Sequence, residues 1–202
     1  MNGKDCNLGT IKLESTDEFL DYIQAAEDDF SYKVNPDKTT IEITEYRGSG
    51  GNIIIPDTID GYKATVLGTA FKGNTSLTGV KIPDGITLIR EWAFDGCSKL
   101  SNIHIPNTVT YIGGMAFYGC AITELVIPEC VNMIGSHTFR NCSQLKAVYF
   151  AGDRPRTVGD HSFVGVSKDF VTYYVEGMDG WTSPSWTPDP YDGYSYPTAT
   201  NE

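Results

Sequence analysis

Positive charge is scarce in this chain. Its 202 residues include 15 lysines and arginines against 26 aspartates and glutamates, which gives a formal net charge of −11. The acidic excess lies in residues 1–63 and 151–202, whereas residues 64–150 carry 6 basic and 5 acidic residues. Because a nucleic-acid-binding surface needs a basic stripe to displace the counterions of the phosphates, this composition argues against nucleic acid as a partner.

Long apolar runs are missing as well. No stretch approaches the roughly 18 consecutive apolar residues that a membrane-spanning helix needs, so we expect no membrane span. The segment Met1–Thr10 is polar and does not contain the apolar core of a secretory leader. The chain also has no Gly-x-Ser-x-Gly elbow, phosphate loop, Cys-x-x-Cys pair or His-Glu-x-x-His motif.

The chain does contain a repeated motif of four residues. It consists of an aliphatic residue, any residue, an aliphatic or aromatic residue and usually proline, with copies that begin at Ile53, Val80, Ile103, Leu125 and Val148. A second motif repeats with the same period, and its copies end in Phe71, Phe94, Phe117, Phe139 and Phe163. The steps between these phenylalanines are 23, 23, 22 and 24 residues. This period is typical of a solenoid, whose coils stack and bury a shared core.

One middle repeat shows the expected geometry. Alternation along a strand directs Ile103 and Ile105 into the core and His104 outward, and Leu100, just before the strand, also points inward. A second short strand follows at residues 109–113, before the chain turns at the repeat phenylalanine. Each coil contributes about five apolar side chains to the core, and the burial of each stabilises the fold by about 1.5–3 kcal/mol.

Cysteine and histidine offer little chemistry in this arrangement. Of the five cysteines, three share one repeat position, and parallel side chains there favour a ladder of buried thiols over disulfides or a metal site: Cys97, Cys120 and Cys142. Cys6 and Cys130 remain unassigned.

The three histidines are assigned to three different repeat positions, so we expect no shared metal site: His104, His137 and His161. The acidic residues of the repeats form no pair aimed at a common point, as glycoside hydrolysis requires. We therefore predict no catalytic, cofactor-binding or metal-binding residues.

The segments outside the repeats are assigned as caps. Residues 14–30 predict a helix, and residues 32–43 predict a hairpin. Together they would cover the open end of the first coil, where core side chains and strand edges need protection. Residues 183–202 are rich in proline and tyrosine and predict an extended tail. The predicted boundaries are a cap at 1–50, a solenoid at 51–175, and a C-terminal cap and tail at 176–202.

The full pattern, Ile-Pro-x-x-Val-x-x-Ile-Gly-x-x-Ala-Phe-x-Gly-Cys-x-x-Leu, resembles the BspA-like leucine-rich repeats of bacteria. Residues 103–125 match it almost throughout, apart from a short turn at 120–122, and the resemblance covers about residues 41–175. It implies that Val171–Val175 is the final strand, with Trp181 or Trp186 sealing the end. It also implies a secreted or surface-exposed protein of a host-associated bacterium that takes part in adhesion.

Two outward ladders are the candidate binding surfaces. The first, which we call the strand face, has polar and aromatic residues beside aliphatic ones: Ile54, Lys81, His104, Val126 and Tyr149. Such a mixture suits a protein or glycan ligand, or an ordinary solvated sheet. The second, which we call the second face, has apolar residues in register: Val66, Leu88, Tyr111 and Met133. An exposed apolar stripe favours an interface with a partner or a second copy, unless the tail covers it.

These observations predict an α/β fold, namely a leucine-rich-repeat solenoid of about five short coils with a helix-plus-hairpin cap. The predicted function is non-catalytic binding or adhesion at the cell surface or in the extracellular space, without a cofactor. The expected partner is a host or bacterial surface protein, matrix or glycan. The alternative is a structural spacer that self-associates through its apolar stripe, and a carbohydrate-active enzyme is less favoured.

Overall fold

The computed structural model describes residues 21–181, 185–186 and 196–201. In these ranges the chain forms a β-solenoid, and a three-residue 3-10 helix, Glu27–Asp29, is their only helical element. None of the helical structure described there is long and apolar enough to cross a membrane. The strands in chain order are β1 (Ile23–Gln24), β2 (Phe30–Val34), β3 (Thr40–Tyr46), β4 (Gly51–Ile54), β5 (Thr58–Ile59), β6 (Tyr62–Leu67), β7 (Leu77–Lys81), β8 (Leu88–Ile89), β9 (Asn102–His104), β10 (Tyr111–Ile112), β11 (Glu124–Ile127), β12 (Met133–Ile134), β13 (Ala147–Phe150), β14 (Thr157–Val158), β15 (Val171–Val175), β16 (Ser185–Trp186) and β17 (Tyr196–Asn201).

Strand pairing sorts these strands into two columns. The first column contains the four-residue motifs. It consists of one sheet in the order β1-β4-β7-β9 and another in the order β11-β13-β15-β17-β16. The second column is a single sheet in the order β14-β12-β10-β8-β6-β3-β2, with β5 paired to β6. From β4 to β15 the first column makes about six turns, where the phenylalanine steps predict about five coils. The additional turn ends in β15, which has neither the proline nor the phenylalanine of the repeat.

The core is one continuous column of apolar side chains. Its centre is a stack of phenylalanine rings at 5.0, 5.2, 5.5 and 5.4 Å between centroids, with interplanar angles below 10°, formed by Phe71, Phe94, Phe117, Phe139 and Phe163. The spacing slightly exceeds the 4.7–4.9 Å between paired strands, so each coil adds one ring to the stack. Phe30 and Tyr46 pack on the first ring, and Phe170 and Trp186 pack on the last.

The N-terminal helix predicted for residues 14–30 is wrong in the part that the structure describes. Ile23–Gln24 is a strand that pairs in parallel with Ile53–Ile54, and the amide of Ala25 donates to the carbonyl oxygen of Ile54 at 3.0 Å. The open edge of β4 offers unpaired backbone groups, and pairing with them competes with the local helical pattern. Residues 14–20 lie outside the described ranges. The predicted hairpin is confirmed, because β2 and β3 are antiparallel.

The predicted extended tail is in part a continuation of the sheet. Thr198–Asn201 pairs in parallel with Thr172–Val175, and Ser185–Trp186 pairs with the start of β17. The hydroxyl of Thr172 donates to the carbonyl oxygen of Pro197 at 3.0 Å. The edge of β15 therefore draws this segment into pairing despite its prolines, as an exposed strand edge favours. The rest of the predicted tail lies outside the described residues.

Replacement of Phe117 by alanine tests the ring stack. Phe117 is fully buried between Phe94 and Phe139, so F117A leaves a cavity and should lower the free energy of unfolding by about 3–5 kcal/mol. The measurement is a urea titration followed by circular dichroism. The matched control is M133A at an exposed position, which should change the value by less than about 0.5 kcal/mol. An F117A loss as small as that of the control would contradict the continuous core.

Candidate binding surfaces

The strand face is divided into two neighbouring groups. The first joins Ile54, Lys81 and His104, which lie in register on β4, β7 and β9. The second begins with Val126 and Tyr149, which lie in register on β11 and β13. The two sheets of the first column separate between β9 and β11, next to the repeat in which the phenylalanine step shortens to 22 residues. The predicted residues therefore do not form one uninterrupted ladder.

The first group is polar and charged. Lys81 lines an open groove of about 590 Å³ together with Asp57, Lys63 and Asp84. Burial lowers the pKa of His104, and the charge of Lys81 lowers that pKa further, while the charge of Asp84 opposes both. His104 is therefore mainly uncharged at neutral pH. This group offers hydrogen-bonding atoms and charges of both signs to a ligand.

The second group ends in two stacked aromatic rings. Tyr173 on β15 lies in register with Tyr149, and their ring centroids are 4.9 Å apart at an interplanar angle of 16°. Both side chains are half-buried. Burial raises the pKa of the Tyr149 hydroxyl, and the charge of Glu124 raises it further. We call this pair the tyrosine ledge. Tyr173 is absent from the predicted site, although the alternation within Val171–Val175 places it beside Tyr149.

The second face is in register as predicted but is less exposed. Val66 pairs with Leu88, Leu88 with Tyr111, and Tyr111 with Met133. Met133 is 45% exposed, whereas Leu88 and Tyr111 are half-buried and Val66 is only 7% exposed. The prediction that Val66 belongs to an exposed stripe is therefore wrong.

An ion pair lies beside Val66. Glu42 lies opposite Val66 on β3, and Arg90 directly follows β8 on the other side. The Nε of Arg90 lies 2.9 Å from Oε1 of Glu42, so this pair reaches across the strand that carries Val66. Further along the face, Tyr111 donates its hydroxyl hydrogen to Oε1 of Glu91 at 2.8 Å. The apolar part of the second face is thus bordered by polar contacts.

The histidine assignment needs a correction. His137 and His161 each lie two residues before a repeat phenylalanine, so they share one repeat position. Their rings stack with centroids 5.2 Å apart and an interplanar angle of 14°, which contradicts the prediction that coil stacking keeps them apart. Over the described ranges, no group of three or more His, Cys, Asp or Glu residues is arranged to hold a metal ion.

These histidines extend a column of turn residues, which we call the turn column. Its members have left-handed backbone φ values of 61°, 56°, 61° and 57° at Trp92, Met115, His137 and His161. Such a conformation costs a residue with a side chain about 1–2 kcal/mol. Each amide in the column from Trp92 to His137 donates to a carbonyl oxygen of the next coil at 2.8–3.1 Å. Hydrogen bonds between coils therefore help to offset the strain of the turn.

The cysteine ladder is confirmed. Cys97, Cys120 and Cys142 are buried and free, and each thiol donates to the carbonyl oxygen of the phenylalanine in the preceding coil at 3.0–3.2 Å. Burial raises the pKa of Cys97 and of Cys142 to about 12, and it raises the pKa of Cys120 as well. Because the thiolate is the reactive form, these three residues are structural. Cys130 is disulfide-bonded.

Comparison with known families identifies the repeat. A family model described as the BspA type leucine rich repeat region matches residues 65–175 in six copies. This match spans 111 of the 202 residues, which is more than half of the chain. The chain belongs to this family. The resemblance predicted from the repeat pattern is therefore confirmed, and membership of the BspA type family favours a non-catalytic binding role.

Solved structures with this fold come from several bacteria. A leucine rich repeat protein from T. pallidum is 29% identical with a TM-score of 0.68, and the match covers 75% of this chain and 71% of that one. A leucine-rich repeat protein from Bacteroides capillosus is 28% identical with a TM-score of 0.52, covering 61% and 95%. A leucine rich cell surface protein from Faecalibacterium prausnitzii, 22% identical with a TM-score of 0.53 and covering 75% and 50%, is similar in fold alone. No curated protein matches the chain.

Replacement of His104 by glutamine tests the environment of the first group. The folded state lowers the pKa of His104 below its unfolded value, so protonation favours the unfolded state. Its contribution to stability is complete above the unfolded pKa of about 6.5 and is lost as the pH falls below it. The free energy of unfolding should therefore fall less steeply between neutral and mildly acidic pH in H104Q than in the unmodified chain. Urea titrations at a series of pH values measure this change. If the free energy of unfolding falls equally steeply with pH in both chains, the lowered pKa of His104 is contradicted.

Proposed function

We propose that this chain is a non-catalytic recognition module, secreted or displayed at the cell surface, that binds a protein or glycan through the strand face. The observation that carries this proposal is the tyrosine ledge. Tyrosine is enriched in binding interfaces, because a ring with two torsions contributes a large contact area at a low cost in conformational entropy. A ledge built on paired strands is positioned before the ligand arrives, which reduces the entropy that binding has to overcome.

The remainder of the strand face supports the same proposal. Val126 continues the ledge with an aliphatic surface, and Lys81 with His104 adds hydrogen-bonding groups on the neighbouring sheet. An apolar centre beside polar groups is the usual composition of a specific interface. The strand face is thus suited to a ligand that is longer than the ledge itself.

The proposed location has support from cysteine chemistry. Cys130 is disulfide-bonded, and disulfides persist in extracellular and other oxidising environments. The buried thiols of Cys97, Cys120 and Cys142 are shielded from that environment by the core. This combination is compatible with a secreted or surface-exposed protein.

The test is a binding survey with the full chain on a glycan array and on immobilised extracellular-matrix proteins. For a ligand found there, the double variant Y149S/Y173S should weaken binding by at least about ten-fold, as loss of an interface hot spot does. The matched control is L88S/M133S on the second face, which should retain binding within about two-fold. Circular dichroism verifies that both variants are folded. A survey without any ligand, or a ligand that is lost in the control and kept in Y149S/Y173S, would contradict the proposal.

A second candidate function is self-assembly through the second face. It has support from the register of Leu88, Tyr111 and Met133, which places their apolar side chains side by side. Light scattering of the unmodified chain and of L88S/M133S at several concentrations tests whether the chain self-assembles. Self-assembly requires a mass that rises with concentration in the unmodified chain and remains monomeric in L88S/M133S. A monomeric mass for the unmodified chain at every concentration would exclude this candidate.

A further inference from the structure

We propose that the tyrosine ledge receives arginine or lysine side chains from a basic segment of a partner protein. This inference rests on the proposed function, because it assigns a class of ligand to the same surface. It depends on three observations: a small neighbour beside one ring, an acidic group near the other, and a cation held by a ring and a carboxylate elsewhere in the chain.

The neighbour of Tyr173 on the next strand is small. Tyr173 packs on Tyr149 on one side, and Ala199 of β17 lies in register on its other side. Ala199 carries a single methyl group, so it covers less of the ring of Tyr173 than a larger side chain in register would. Tyr149, in contrast, has Val126 as its other neighbour in register. The ledge therefore offers Tyr173 as its contact ring.

Glu124 supplies the acidic group. It lies opposite Ala147 on the neighbouring strand, two positions from Tyr149, and its side chain is exposed. Its charge contributes to the raised pKa of the Tyr149 hydroxyl, so the carboxylate is within electrostatic reach of the ledge. Among the described residues no basic side chain forms an ion pair with Glu124, including Lys146, which directly precedes β13. A cation from a partner can therefore interact with it.

The chain already combines a cation, an aromatic ring and a carboxylate beside the turn column. The Nζ of Lys72 lies 5.1 Å from the ring centroid of Trp92 and 3.4 Å from Oδ2 of Asp95. A cation over a ring is attracted by the negative face of the π-system, and a nearby carboxylate adds to that attraction. The strand face supplies the ring and the carboxylate at separate positions, Tyr173 and Glu124, which lie two strands apart. We infer that the partner supplies the cation.

The charge of the chain favours a basic protein over a glycan. The net charge is −11, and residues 151–202 carry 3 basic against 8 acidic residues. Such a field attracts cationic partners and repels acidic glycans. A neutral glycan would use the rings but leave the charge of Glu124 without a counterpart. Arginine fits best, because a guanidinium can stack on a ring such as that of Tyr173, and a second one in the same segment can form two hydrogen bonds with a carboxylate such as that of Glu124.

The test uses an arginine–glycine repeat peptide, its lysine counterpart and a glutamate–glycine peptide of equal length as fluorescent probes. Their binding to the full chain is measured by anisotropy at physiological salt. We expect the two basic peptides to bind and the acidic peptide not to bind. Both E124Q and Y149S/Y173S should weaken binding of the arginine peptide by at least about five-fold. The matched control is D28N, which removes the same charge at an exposed residue remote from the ledge and should change binding by less than about two-fold.

Each other outcome overturns a defined part of the proposal. Equal weakening in D28N and E124Q would show that net charge, and not the ledge, holds the peptide. If no basic peptide binds but the survey of glycans and matrix proteins yields a ligand that depends on Tyr149 and Tyr173, the proposed function stands and the basic partner is wrong. If neither the peptides nor the survey yields a ligand, both proposals are wrong.

Discussion

The fold depends on the exact superposition of consecutive coils. Each repeat places one phenylalanine ring over the next at 5.0–5.5 Å, and the same register pairs the short strands on both columns. Dispersion and the hydrophobic effect act on the rings, while backbone hydrogen bonds act on the strands, and both require one spacing between coils. The buried thiols follow the same rule, since each donates to a phenylalanine carbonyl one coil away. A change in this register would therefore affect core and backbone together.

The surfaces follow from that register. Side chains at one repeat position form a ladder on the outside, so the neighbours of a residue are its equivalents in the coils before and after it. The tyrosine ledge, the Leu88–Tyr111–Met133 series and the histidine pair all arise in this way. Function in such a fold changes by substitution at outward positions, while the apolar core residues of each repeat stay the same. This is why the period of the sequence is informative about architecture and less so about the ligand.

Much of the repeat region could be predicted from the sequence, because period and alternation determine which residues are equivalent. They identified the phenylalanine column, the cysteine ladder and most neighbours within the outward faces, but not the break between His104 and Val126. The errors arose where tertiary contacts compete with a local pattern. An open strand edge drew Ile23–Gln24 out of its predicted helix, and Val66 is buried beside Glu42, its neighbour in register on β3. The stacking of His137 and His161 was available from the sequence, since both precede a repeat phenylalanine by two residues.

Deletion of one full period tests this account most directly. Removal of residues 94–116, which is 23 residues, joins Ala93 to Phe117 and preserves the order of the repeat motifs. A column of equivalent coils predicts a shorter chain that remains folded, with β-type circular dichroism and a cooperative urea transition. Deletion of residues 94–105 serves as the out-of-register control and should prevent folding. If the full-period deletion is as unfolded as the control, the coils do not form one continuous, interchangeable stack.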